Sequence, residues 1–164
     1  MSQIADLADA FLKACASRKI LSATAESCTG GLIIATLTDI PGSSSMVDRG
    51  FVTYSNEAKQ EMLDVSEDTL NTYGAVSKET ALEMASGALE YSRAEIALSV
   101  TGIAGPDGGS EEKPVGLVWF GLAIKGRPPI AEHRIFLNLG RDFIRQETVK
   151  TALEIGIREL NADV

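Results

Sequence analysis

Apolar residues recur at helical spacing from the start of the chain. Ile4, Leu7, Ala8, Phe11, Leu12 and Cys15 share one stripe, which predicts an amphipathic helix over about residues 3–18 with Cys15 in the core. Two apolar runs follow, Ile20 to Ala25 and Leu32 to Leu37, separated by Glu26-Ser27-Cys28-Thr29-Gly30-Gly31. The pattern predicts a buried strand, a tight turn, and a helix from near Thr29 to about Thr38. Asp39-Ile40-Pro41-Gly42 stops that helix, and Ser43-Ser44-Ser45 continue as an ordered loop. Phe51 to Tyr54 reads as a short strand, after which Ser55 or Asn56 caps a helix carrying Ala58, Lys59, Met62 and Leu63. A short helix opens near Ser66 and closes at Gly74. Ser77 begins a longer one with Leu82, Ala85 and Leu89 as its inner face.

Ile96 to Val100 is apolar on both faces, as a central strand covered by helices would be. Thr101 to Pro114 is Gly-rich and has no periodicity of its own; between apolar strands, so long a loop points to function. Val115 to Ile124 and Ile130 to Leu137 read as strands whose short connection permits only antiparallel pairing. A last helix is expected over about Arg141–Leu160, with Val149, Ala152, Leu153, Gly156 and Leu160 as its stripe. Helical crossovers make the early strands parallel and cover both faces, while the late hairpin reverses one strand. The expected fold is α/β, a three-layer α/β/α domain over residues 1–164 with a mixed, mostly parallel five-stranded sheet. Ligands of such sheets bind beyond the carboxyl ends of the strands. The turn at Glu26–Gly31, the segment Tyr54–Lys59 and the loop opening at Thr101 should meet there.

Composition narrows the partners. The 164 residues carry a formal net charge of −8, which repels a phosphate backbone, and no Lys/Arg cluster compensates. Nucleic acid is therefore not an expected partner. No apolar run is long enough to span a bilayer and no signal-peptide core opens the chain, so a soluble, cytoplasmic protein with no membrane contact is expected. Two cysteines make no disulfide framework, and a single histidine, His133, makes metal chemistry hard to build. Neither a metal nor a cofactor is expected. Apolar stripes on the terminal helices suggest a homo-oligomer.

Four stretches together carry a family likeness: Thr24-Ala-Glu-Ser-Cys-Thr-Gly-Gly31, Arg49 to Lys59, Gly74-Ala-Val-Ser77, and Val100 to Gly116. In order and spacing the chain resembles the C-terminal domain of the competence/damage-inducible protein CinA, whose stand-alone relatives are nicotinamide-nucleotide amidases. CinA proteins often carry an N-terminal domain that this sequence does not contain. The resemblance implies an α/β/α fold and hydrolysis of nicotinamide mononucleotide to nicotinate mononucleotide and ammonia, in pyridine-nucleotide salvage.

Amide hydrolysis needs a nucleophile, a base, oxyanion donors and an acid for departing ammonia. Ser27 is the expected nucleophile, with Cys28 its rival because a helix N-terminus favours thiolate. Lys59 is the expected base if burial lowers its pKa, and Tyr54 would relay a proton or orient it. Read without the resemblance, Lys59 is a solvated helix lysine and Tyr54 a sheet aromatic. His133 lies in the late hairpin, away from the expected cleft. Thr101 and Gly102 offer backbone N–H groups to the oxyanion and the Thr101 hydroxyl would bind the carboxamide, or the two simply form a turn. Arg141 and Arg145, one helical turn apart, would hold the phosphate or else pair with neighbouring acids. Thr29 and Gly30 belong to the same ligand-facing turn, and Glu26 either meets the substrate's ring cation or fixes that turn. The other readings are a non-catalytic nucleotide-binding or interaction domain, and an amidohydrolase for another small amide.

Overall fold

A computed structural model describes residues 2–162. Helix α1 spans Gln3–Arg18 and is capped by the Ser2 hydroxyl, which accepts from the Ala5 N–H. Strand β1, Ser22–Glu26, is buried along its whole length. After it come α2 (Leu32–Thr38), a 3-10 turn at Ser43–Ser45, β2 (Val47–Val52), α3 (Asn56–Leu63), α4 (Glu67–Tyr73) and α5 (Lys78–Glu90). Strands β3 (Ile96–Gly102), β4 (Leu117–Ile124) and β5 (Ile130–Ile135) lead into α6, Arg141–Ala162. Ser55, Ser66 and Ser77 each cap the helix they precede, as their placement before apolar-periodic segments predicts.

The five strands lie in the order β2-β1-β3-β4-β5. β1 pairs in parallel with both β2 and β3, and the hairpin reverses β4 between β3 and β5. Four strands therefore point one way and β4 the other. Side chains alternate across the sheet, so β3 sends Ile96, Leu98 and Val100 into one core and Ala97 into a second. The larger core takes its helical residues from α1, α2 and α6, the smaller from α3, α4 and α5. Helices thus cover both faces. Cys15 is buried on the α1 stripe. Gly156 lets α6 sit close to α1, because a Cβ there would lie 2.6 Å from Phe11 Cε1.

Several boundaries differ from expectation. β2 begins at Val47 and ends at Val52 rather than running over Phe51–Tyr54. It is an edge strand in which Phe51 alone is buried, so its polar half has no apolar signature. α2 starts at Leu32 rather than near Thr29, because Gly30 (φ 59°) and Gly31 (φ 104°) carry the chain through left-handed conformations. β4 starts at Leu117 rather than Val115, with Gly116 left-handed at φ 101°. The inner face of α5 is built from Ala81, Met84, Ala85, Gly87 and Ala88, whereas Leu82 and Leu89 are half-buried. Small residues let this helix lie close to the sheet, and Gly121 of β4 faces the Ala81 carbonyl.

Candidate active site

β1 ends at Glu26, and the chain turns sharply through Ser27, Cys28 and Thr29. The Ser27 N–H still donates to the Val100 carbonyl of β3 (3.1 Å), so the turn is pinned to the central strand. Glu26 is fully buried and its carboxylate accepts from Thr29 Oγ1 (2.6 Å), Thr24 Oγ1 (3.2 Å), Ile33 N–H (2.8 Å) and Ile34 N–H (2.9 Å). It occupies the donors at the start of α2 that would otherwise be unpaired. Of the two roles expected for Glu26, fixing of the turn is the one its contacts describe. The buried Thr29 hydroxyl donates to Glu26, and Thr29 is not among the residues that line the cleft. Gly30 lies on the exposed side of the turn and does not line the cleft.

A cleft of about 270 Å³ opens beyond the carboxyl ends of β1 and β3. Ser27, Cys28, Tyr54, Lys59, Thr101, Gly102 and Arg141 line it. The turn after β1, the start of α3 and the end of β3 therefore meet there, as the topology predicts. Lys59, on the first turn of α3, is only 1% exposed. Its Nζ lies 2.9 Å from Ser27 Oγ, 3.0 Å from the Thr53 carbonyl and 3.3 Å from the Tyr54 carbonyl. Burial lowers the Lys59 pKa to about 8, because a charged amine is costly away from water.

The rival nucleophile is poorly prepared. Cys28 faces the cleft, but burial pushes its thiol pKa up to about 12. Tyr54 meets the pair through its main chain. Its carbonyl touches both Lys59 and, at 3.4 Å, the Ser27 hydroxyl, while its phenol is exposed and accepts from Arg141 Nη2 at 3.3 Å.

Thr101 donates its hydroxyl to the Ala75 carbonyl (2.8 Å), which ties the lead-in of α5 to the end of β3. That hydroxyl is spoken for by protein. The two arginines separate. Arg141 stands at the rim, donating to the Gly105 carbonyl (2.7 Å) and to Tyr54 Oη. Arg145 lies outside the cleft lining and donates Nε to the Cys28 carbonyl (3.2 Å) and Nη2 to the Thr29 carbonyl (3.0 Å). The phosphate contact expected of Arg145 would have to form beside these two bonds to main-chain carbonyls.

His133, on β5, packs its ring 4.6 Å from Trp119 and takes no part in the cleft. Among the described residues no three His, Cys, Asp or Glu side chains come together as metal ligands, and no helix is long and apolar enough to cross a membrane. Asn56, Ala75, Val76 and Ala104 also line the cleft, beyond the residues expected there from the sequence. The signal for Asn56 was available: it follows the capping Ser55 and precedes Lys59 by one helical turn.

With this geometry the comparisons with known proteins agree. The model of the CinA C-terminal domain matches residues 4–160. The nicotinamide-nucleotide amidohydrolase PncC of Escherichia coli is 48% identical over 153 residues, 93% of this chain and 92% of that protein. A putative competence-damage inducible protein of Clostridium novyi is 52% identical over 141 residues, which are 86% of this chain and 34% of that protein. The crystal structure of competence/damage inducible protein CihA from Agrobacterium tumefaciens superimposes with a TM-score of 0.94 at 50% identity, covering 98% of this chain and 97% of that one. Sequence, fold and site geometry lead to one assignment: the chain belongs to the CinA C-terminal domain family.

Proposed function

We propose that this protein hydrolyses the carboxamide of nicotinamide mononucleotide, releasing nicotinate mononucleotide and ammonia, with Ser27 as nucleophile and Lys59 as its base. The observation that carries the reading is the 2.9 Å contact between Ser27 Oγ and Lys59 Nζ at the base of the cleft. The substrate is taken from the Escherichia coli relative, a nicotinamide-nucleotide amidohydrolase.

The chemistry follows from the amine's surroundings. A neutral Lys59 gives its two N–H bonds to the Thr53 and Tyr54 carbonyls, and its lone pair is left for the Ser27 hydroxyl. Ser27 Oγ bonds to the carboxamide carbon as its proton passes to Lys59 Nζ. The C–N bond then breaks, and the same proton leaves with ammonia. Water attacks the resulting ester, gives a proton to Lys59, and the acid product departs as Ser27 regains that proton. The substrate's pyridinium ring withdraws electrons and makes its amide carbon a better electrophile.

Gly102 is our choice for an oxyanion donor. The Val100 carbonyl faces β1 and accepts from Ser27, so two residues further along the same strand edge the Gly102 N–H points toward the nucleophile. Thr101 shapes that strand end through its bond to Ala75. Arg141, exposed at the rim beside Tyr54, is the cation we assign to the phosphate. Cys28 lines the cleft as a neutral thiol. The substrate is the only partner this reading requires, in the cytoplasm where free nucleotides are found. Exposed Ile135, Leu137 and Leu139 support self-association.

The test is ammonia release from nicotinamide mononucleotide by the native chain and by Ser27→Ala, Lys59→Ala and Cys28→Ala. Activity in the native chain and in Cys28→Ala alone supports the reading. Activity surviving Ser27→Ala but not Cys28→Ala moves the nucleophile, and no release from the native chain overturns the amidase.

A further inference from the structure

We propose that Arg145 is a positioning residue for the nucleophile: from α6 it clamps the Ser27–Gly30 turn and so fixes the direction of Ser27 Oγ. The proposal rests on the assignment of Ser27 as the reacting group.

Ser27 is the last residue that the sheet holds directly, through its N–H on the Val100 carbonyl. Beyond it the Gly30 N–H returns to the Ser27 carbonyl (3.1 Å), closing a tight turn. The Cys28 and Thr29 carbonyls point away from that turn toward α6, where one guanidinium meets both, at 3.2 and 3.0 Å. Two bonds from one rigid planar group to successive carbonyls fix the rotation of the peptide plane between them. That plane is one residue from the Ser27 side chain.

The clamped turn suits glycine at position 30 for its left-handed φ of 59°, and a Cβ there would make no more than ordinary contact with Arg145 Nη2, at 3.7 Å. Glu26 grips the other side of the same turn through Thr29 Oγ1 and the start of α2. The loop bearing the nucleophile is thereby braced between two helices, one contact coming from 117 residues further along the chain. Catalysis is sensitive to such bracing, since a displacement of about 1 Å costs roughly 100-fold.

The experiment compares native protein with Arg145→Lys and Arg145→Ala. It measures kcat and KM on nicotinamide mononucleotide and on its phosphate-free riboside, and the rate at which a fluorophosphonate labels Ser27. A positioning role predicts that kcat falls roughly 10- to 100-fold on both substrates. KM should stay within about twofold while Ser27 labelling slows in parallel. Lysine rescues only in part, because it cannot meet two carbonyls in one plane. A rise in KM confined to the phosphorylated substrate would make Arg145 an anion ligand and overturn the proposal, as would unchanged kcat and labelling. Should the native chain release no ammonia, the amidase reading fails while the labelling rates still decide the clamp. Should Arg145→Ala not fold, Arg145→Lys decides it.

Discussion

Ser27 Oγ and Lys59 Nζ meet at 2.9 Å although they are separated by 32 residues and carried by different elements, a turn after β1 and the first turn of α3. The pair is enclosed, and the two main-chain carbonyls around the amine carry no formal charge. An amine so placed loses its proton near pH 8 rather than 10.5, which brings the neutral form that a hydroxyl nucleophile would need within easier reach.

Loss of either partner should therefore be severe. Ser27→Ala and Lys59→Ala are each expected to lower kcat by at least roughly 1,000-fold, and the double variant by little more, because the two act as a unit. Cys28→Ala should stay within about tenfold of native, since its thiol is held protonated with a pKa near 12. Steady-state ammonia release on the four variants checks this.

The pH profile follows from the Lys59 pKa of about 8. Only the neutral amine accepts the Ser27 proton, so kcat/KM should rise about tenfold per pH unit below that value and level off above it. A profile that falls through this range would contradict a lysine base.

Stability has its own pH signature. The Lys59 pKa drops from 10.5 in the unfolded chain to about 8 in the folded one, so between these values the unfolded state binds more protons. Stability contributed by this site is thus full above about 10.5 and lost as pH falls through about 8. Measured by urea unfolding, native protein should gain stability relative to Lys59→Met between these limits. A difference flat with pH would refute the depressed pKa.

Glu26→Gln tests the turn rather than the chemistry. The amide keeps the shape but offers one acceptor oxygen where the carboxylate uses two. A loss of about 1.5–3 kcal/mol is expected, since bonds to a charged group are of that size. Denaturant midpoints would report it, with reduced activity at temperatures where the variant remains folded.

Arg141→Ala separates binding from chemistry at the rim. Loss of a charge-assisted contact predicts a KM for nicotinamide mononucleotide raised about tenfold or more, with kcat nearly native. The riboside should show a much smaller change. Equal losses on both substrates would deny Arg141 the phosphate.

Much was legible in the chain because it is local. The α1 stripe, the serine caps of α3, α4 and α5, the two-sided apolar run of β3 and the short β4–β5 connection each state their own conformation in consecutive residues. Helical crossovers between strands then fix parallel pairing and a three-layer fold. The edge strand β2 escaped because half of it faces solvent, and the buried face of α5 because small residues, not leucines, make the close contacts.

By itself the sequence determined which elements form and which ends of them gather at one cleft, since patterning and connectivity are properties of the chain. Only the tertiary structure decided what each polar side chain does there. Glu26 and Arg145 carry charges that suit a ligand equally well on paper, yet burial and the unpaired donors and carbonyls around Ser27 turn both inward. Lys59 shows the same reason from the other side. Its amine has a lowered pKa only because folding removes water from it and supplies uncharged partners, and desolvation is a property of the packed protein rather than of the residue.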